Sequence, residues 1–139
     1  MRVRKDEKFS QTITLSPDAA SAFARAAGDH NPLHHDADFA AGTRYKRPLA
    51  SGTQTTAHLL GLTATHFSGR GAMVGLDFSV RFCRPVYADE TIHLEWQVVS
   101  VTEAPHLNGD VVELRGCIRN EAGEEAVGAK GRILVADSL

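Results

Sequence analysis

The hydrophobic pattern changes period midway along the chain. Residues 9–15 (FSQTITL) alternate apolar and polar, with Phe9, Ile13 and Leu15 at even spacing, and predict a short half-buried strand. A helix is predicted directly after it. Ser16 is a good N-cap, Pro17 sits where a missing N–H is tolerated, and Asp18 suits the positive end of the helix dipole. The Ala-rich run Ala19 to Ala27, with Phe23 on one face, continues this helix and Gly28 ends it. Residues 28–52 lose periodicity and read mostly as loop, with one turn around Asp36 to Ala41. From Thr53, residues Ala57, Leu60, Ala64 and Phe67 fall on one helical stripe, widened by Leu59 and Leu62, which predicts a mostly buried helix beginning just after Gly52.

Beyond that helix the period becomes two. Val74, Leu76, Phe78, Val80 and Phe82 alternate with Gly75, Asp77, Ser79, Arg81 and Cys83 until Pro85 ends the run. Further strands fit Thr91 to Val101, Val111 to Asn120 and Glu125 to Val135, with turns at Pro105 to Gly109 and Asn120 to Gly123. Consecutive strands with short connections pair antiparallel. The order strand, helix, loop, long helix, strands therefore predicts an α+β fold in which an antiparallel sheet wraps the long helix as its core.

Composition narrows the functional classes. At 139 residues the chain matches one domain, taken as 1–139, and a chain of this size buries about 70% of its unfolded surface without staples. Fifteen Lys+Arg against 17 Asp+Glu leave a formal charge of −2, which disfavours nucleic acid as a partner. The N-terminal segment has no apolar signal-peptide core, and no stretch approaches the ~18 apolar residues of a membrane span, so no membrane partner is expected. Cys83 and Cys117 are not in C-x-x-C spacing; they indicate neither a disulfide scaffold nor a zinc module, and a reducing, cytoplasmic setting is expected.

The densest polar cluster is Gly28-Asp29-His30-Asn31-Pro32-Leu33-His34, directly after a helix stop. An Asn-Pro step biases Asn31 toward an extended backbone and stiffens the turn, so Asp29 and His34 can meet across it. A carboxylate and an imidazole around one water meet the requirement for general acid and base catalysis near neutral pH. The same residue types also occur in loops because they hydrogen-bond their own backbone, and the residues alone leave both readings open.

The string Ala27 to His34, followed by Asp36, Phe39 and Ala40, resembles the hydratase-2 motif of the MaoC-like dehydratases, which include the (R)-specific enoyl-CoA hydratases. The resemblance continues through Arg47-Pro48-Leu49-Ala50-Ser51-Gly52 and again over Leu76 to Pro85. It implies a single hot-dog domain and reversible hydration of a trans-2-enoyl thioester, carried by coenzyme A or acyl carrier protein, to the (R)-3-hydroxyacyl thioester. By the same resemblance Asp29 and His34 hold the catalytic water and the Gly52 backbone N–H polarises the thioester carbonyl. It implies a homodimer with substrate near the subunit interface, and the reaction calls for no cofactor.

Two positions depart from the family pattern. Ser51 stands where many members carry His before the glycine, which bears on pocket polarity, and His35 replaces a frequent aliphatic residue. His30, His34 and His35 together lack a recognised ligand spacing, so no metal is expected. Asn31 and Ser51 are candidate substrate-binding residues beside the pair. Arg47, flanking the site with Arg44, Lys46 and Arg70, is a candidate for the coenzyme phosphates, against the alternative of solvated surface charge. Phe78 is a candidate for acyl-chain lining or for core. His58 and His66 read as helix-surface or hydrogen-bonded core residues, Cys83 as structural and Trp96 as packing. Thioester hydrolysis and non-catalytic acyl-thioester binding are the alternatives on the same fold, because function resides in the site.

Overall fold

The computed structural model describes residues 3–139. Strand β1 (Lys8–Thr14) leads into helix α1 (Pro17–Ala26), a 3-10 turn (Pro32–His34), the short helix α2 (Ala37–Ala41) and the long helix α3 (Gly52–Ser68). Strands β2 (Ala72–Phe82), β3 (Thr91–Ala104), β4 (Gly109–Arg119) and β5 (Glu125–Ala136) follow. All five strands form one sheet in the order β1-β3-β4-β5-β2, with every neighbouring pair antiparallel.

The sheet wraps α3, which contacts β1, β2, β3 and β4. Ile92, Leu94, Trp96 and Val98 of β3 alternate into the core with Val112, Leu114 and Ile118 of β4 and Val127 and Ile133 of β5, against Leu59 and Phe67 of α3. Trp96 pins helix to sheet: its indole N–H donates to the Leu59 carbonyl at 2.8 Å, which satisfies the one polar atom of a fully buried ring. Gly116, opposite Trp96 on β4, makes that ring possible, because any Cβ at this position would run into the indole.

Helix α3 buries Leu59 and Phe67 of the predicted apolar set but not the rest of the stripe. Ala57 and Ala64 are exposed and Leu60 and Leu62 half-buried, whereas Gln54, Thr55, Leu59, Thr63 and Phe67 are buried. Threonine is accepted there because the hydroxyls of Thr55 and Thr63 close onto the Gly52 and Leu60 carbonyls at 3.2 and 2.7 Å, so the sheet sees mainly their methyl groups. The expectation of a mostly buried helix is thereby corrected.

The prediction for β2 is corrected as well. A bulge between Gly75 and Asp77 interrupts its register, and Val74, Leu76 and Phe82 are exposed although they belong to the apolar set. The inserted residue breaks the two-residue alternation, and β2 is an edge strand of the sheet among the described residues. Phe78 and Val80 alone of that set pack against the core.

Candidate active site

The site is built where the loop 28–36 meets the start of α3. Helix α1 is capped by Ser16, whose hydroxyl accepts from the Ala19 N–H, and it ends in a Schellman motif. Gly28 takes the left-handed conformation (φ 76°), its N–H bonds to the Arg25 carbonyl at 3.0 Å, and the Asp29 N–H bonds to Ala24 at 2.8 Å. Asp29 is thus delivered at a fixed place beyond the helix. Its Oδ1 then accepts from the Asn31 N–H at 3.0 Å, and the Asn31 side chain caps the 3-10 turn by accepting from the Leu33 N–H at 3.1 Å.

That turn is clipped to the segment before α3. The Leu49 N–H donates to the Leu33 carbonyl at 3.0 Å, and His34 Nδ1 lies 2.8 Å from the Leu49 carbonyl. A carbonyl only accepts, so Nδ1 carries a hydrogen, and Nε2 is the ring atom left facing Asp29. This nitrogen stands 3.4 Å from Asp29 Oδ2. His34 is buried and Asp29 is about one-third exposed, so the pair lies at a boundary between protein and solvent.

Residues 48–50 bridge to 86–88 through Ala50 N–H to Val86, Ala88 N–H to Pro48 and the Leu49–Tyr87 bridge, which holds the start of α3 against the sheet. Ser51 is the N-cap, fully buried, with its hydroxyl accepting from the Gln54 N–H at 3.0 Å. Gly52 is the first helical residue, so its N–H is one of the donors that an α-helix leaves without an internal partner, at the positive end of the dipole. A recess of about 250 Å³ is lined by His34, Leu49, Gly52, Thr55, Phe82 and Arg84 among others. Phe82 lies so close over Gly52 that a Cβ there would stand 2.9 Å from its ring. Hollows of about 340 and 420 Å³ over Arg115 and Lys130 are lined by none of the predicted site residues.

His34 and Gly52 therefore line one recess, Asp29 meets His34 without lining it, and the other candidates are sorted by what they touch. Asn31 and Ser51 are occupied as caps of the two elements that carry the pair and the N–H. Arg47 lies over the Tyr87 ring at 3.8 Å and 4.0 Å from Asp89, outside the recess. Phe78 packs edge-on to Trp96 at 6.1 Å and does not line the recess, which places it in the core. His58 lies 3.3 Å from the Gln54 amide, and burial pushes its imidazole below the ordinary histidine range. Cys83, read as structural, is exposed, and Cys117 is buried. Sequence reasoning missed the Leu49 carbonyl and Arg84. The first is a backbone atom, which no residue type announces; the second is one charge among many, distinguished only by its place next to Pro85.

A curled antiparallel sheet around one helix, with an Asp–His pair at that helix's N-terminus, is the hot-dog fold with its polar site at the mouth. A MaoC like domain matches residues 2–113, and the chain belongs to that family. It is 34% identical over 83 residues to an (R)-specific enoyl-CoA hydratase of Aeromonas caviae, and 33% identical over 129 residues to the peroxisomal multifunctional enzyme type 2 of Mus musculus. These alignments cover 60% and 78% of this chain, but 61% and 17% of the relatives' own lengths. The solved R-hydratase PhaJ1 from Pseudomonas aeruginosa superposes with a TM-score of 0.85 at 28% identity, covering 97% of this chain and 83% of that one. No helix among the described residues is long and apolar enough to cross a membrane.

Proposed function

We propose that the chain catalyses the reversible addition of water to a trans-2-enoyl thioester of coenzyme A, giving the (R)-3-hydroxyacyl thioester. The observation that carries this reading is the 3.4 Å approach of Asp29 Oδ2 to His34 Nε2 beside the recess that Gly52 lines. With Nδ1 committed to Leu49 and Oδ1 to Asn31, the facing atoms are a lone pair and a carboxylate oxygen, and both accept hydrogen bonds. A water between them donates one hydrogen to each and turns its oxygen lone pairs outward, toward a β-carbon in the recess.

The chemistry then balances without a cofactor. The water oxygen bonds to the β-carbon while its proton passes to the pair, and the π electrons move onto the thioester oxygen as an enolate. The Gly52 N–H stabilises that oxygen where charge develops, supported by the α3 dipole. The enolate collapses as the pair returns a proton to the α-carbon, so both parts of the water enter on one face. Dehydration is the same path reversed.

The names of the Aeromonas and Pseudomonas proteins support this reading. A homodimer joined along β2 is supported by the exposed Val74, Leu76 and Phe82 on that edge strand, of which Phe82 lines the recess. The test is loss of the conjugated enoyl absorbance with crotonyl-CoA, chiral analysis of the product, and the Asp29→Asn protein as control. Turnover to the (R)-3-hydroxy product, absent in the variant, is expected; thiol release without hydration would replace this reading with thioester hydrolysis.

A further inference from the structure

His35 lies where the family pattern is broken, and both of its ring nitrogens are used at the catalytic loop. Nε2 stands 2.8 Å from the Asp29 carbonyl oxygen, and Nδ1 stands 2.7 Å from Ser21 Oγ on α1. The carbonyl can only accept, so Nε2 carries the hydrogen, and in the neutral ring Nδ1 accepts from the Ser21 hydroxyl. We propose that His35 is a positioning residue, which fixes the Asp29 carboxylate against His34 by holding the Asp29 peptide plane, with Ser21 as its anchor on α1.

The argument is one of remaining freedom. The end of α1 holds the Asp29 N–H on Ala24, and the Asn31 N–H holds Oδ1. Between these two constraints lies the peptide that follows Asp29, whose rotation carries Asn31 and so the carboxylate with it. The His35 hydrogen bond to the Asp29 carbonyl removes that rotation, and the Ser21 contact removes the swing of the imidazole itself. A carboxylate displaced by about 1 Å no longer shares a water with His34, and misplacements of that size cost up to about a hundredfold in rate. With both nitrogens occupied, His35 does not serve as a ligand in a His30–His34–His35 cluster. The inference rests on Asp29 and His34 being the water-holding pair, and it gives the departure at position 35 a role.

The test uses the full chain and two independent readouts. Long-range proton–nitrogen NMR reports the tautomer of His35, and the Asn31 amide signal reports the loop. Steady-state kinetics on crotonyl-CoA compare His35→Leu, His35→Gln and Ser21→Ala with the parent, alongside thermal midpoints. The expected results are an Nε2–H tautomer, an Asn31 signal that moves in His35→Leu and returns in His35→Gln, and kcat lowered about tenfold or more in His35→Leu with KM within about twofold. Glutamine restores most of kcat because its amide N–H reaches about as far as Nε2, and Ser21→Ala gives the smaller loss. An Nδ1–H tautomer, an unmoved Asn31 signal in His35→Leu, or a kcat loss that glutamine does not rescue would overturn the proposal. If the parent protein hydrates no enoyl thioester, the functional reading has failed, and the tautomer and amide signals still decide the positioning claim.

Discussion

A carboxylate–imidazole pair lies by each end of helix α3, and the two pairs differ in what is left over. At the N-terminal end Asp29 and His34 approach to 3.4 Å, and each spends one atom on a backbone partner and turns the other toward its neighbour. At the C-terminal end Glu7 lies 2.6 Å from His66 Nε2 and is held by both Arg70 nitrogens at 2.9 and 2.6 Å, while the His66 ring stacks on Phe9 at 3.9 Å. Every carboxylate oxygen of Glu7 is taken, and the Arg70 guanidinium holds its pKa down at about 2 against the desolvation that opposes it, with His66 assisting. Residue types therefore do not distinguish the pairs; unused lone pairs at a boundary with solvent do. A saturated pair fastens the segment that leads into β1 to the helix, and an unsaturated pair has capacity for a water.

The largest expected effect tests the open pair. Asp29→Asn keeps the size of the side chain and its bond from Asn31 but removes the charge, so turnover should fall by about 10³ with an unchanged thermal midpoint. Retained turnover would make the N-terminal pair as structural as the C-terminal one. Next in size is Gly52→Pro. Proline is accepted at the first helical position, and Ser51 already has the extended backbone (φ −69°, ψ 148°) that a following proline needs. The substitution removes the N–H while circular dichroism should show the helix intact; Phe82, itself exposed, gives way to the ring. A loss of about 10² to 10³ in kcat is expected, and near-normal kcat would remove the Gly52 N–H from the mechanism.

Glu7→Gln sharpens the comparison from the other end. Because the folded carboxyl titrates below its ordinary 4.5, its contribution is present in full above that pH and is lost as pH falls toward about 2. Chemical denaturation across pH 2 to 6 should show the parent losing about 2 kcal/mol more stability than the variant in that window, with kcat at neutral pH within about twofold. An unchanged acid slope would show that the Arg70 and His66 contacts carry no net stability. The smallest effect is expected from Arg47→Ala, since an exposed pair such as Arg47–Asp89 contributes about 0–1 kcal/mol. KM for crotonyl-CoA should stay within about twofold in a direct titration, whereas a larger rise would return Arg47 to the coenzyme phosphates.

Much of the fold and the nucleus of the site were legible in the sequence because they are local. Ser16, Pro17 and Gly28 bound α1 through hydrogen bonds within a few residues, and the alternation in β3, β4 and β5 reports a sheet with one face dry. Asp29, Asn31 and His34 also lie within one turn of chain, so their spacing alone brings the pair together. What was misread depends on surroundings. The bulge between Gly75 and Asp77 interrupts a run whose alternation is regular in the sequence, and α3 turns Leu59, anchored by Trp96, inward rather than its alanines. Between the two readings open for Phe78, core or acyl-chain lining, its edge-on packing against Trp96 favours the core.

The sequence by itself determined the elements, the loop that carries the carboxylate–imidazole pair, and the cap that starts α3, since each follows from contacts a few bonds away. Tertiary structure alone decided which atoms of the pair stay free. The Leu49 carbonyl, 15 residues from His34, sets its tautomer; the packing of residues 48–50 on 86–88 brings Gly52 into the same recess; and Glu7 becomes saturated only because Arg70, 63 residues away, folds back onto it. Hydrogen-bond capacity is fixed by residue type, but its use is fixed by neighbours that only the folded chain supplies.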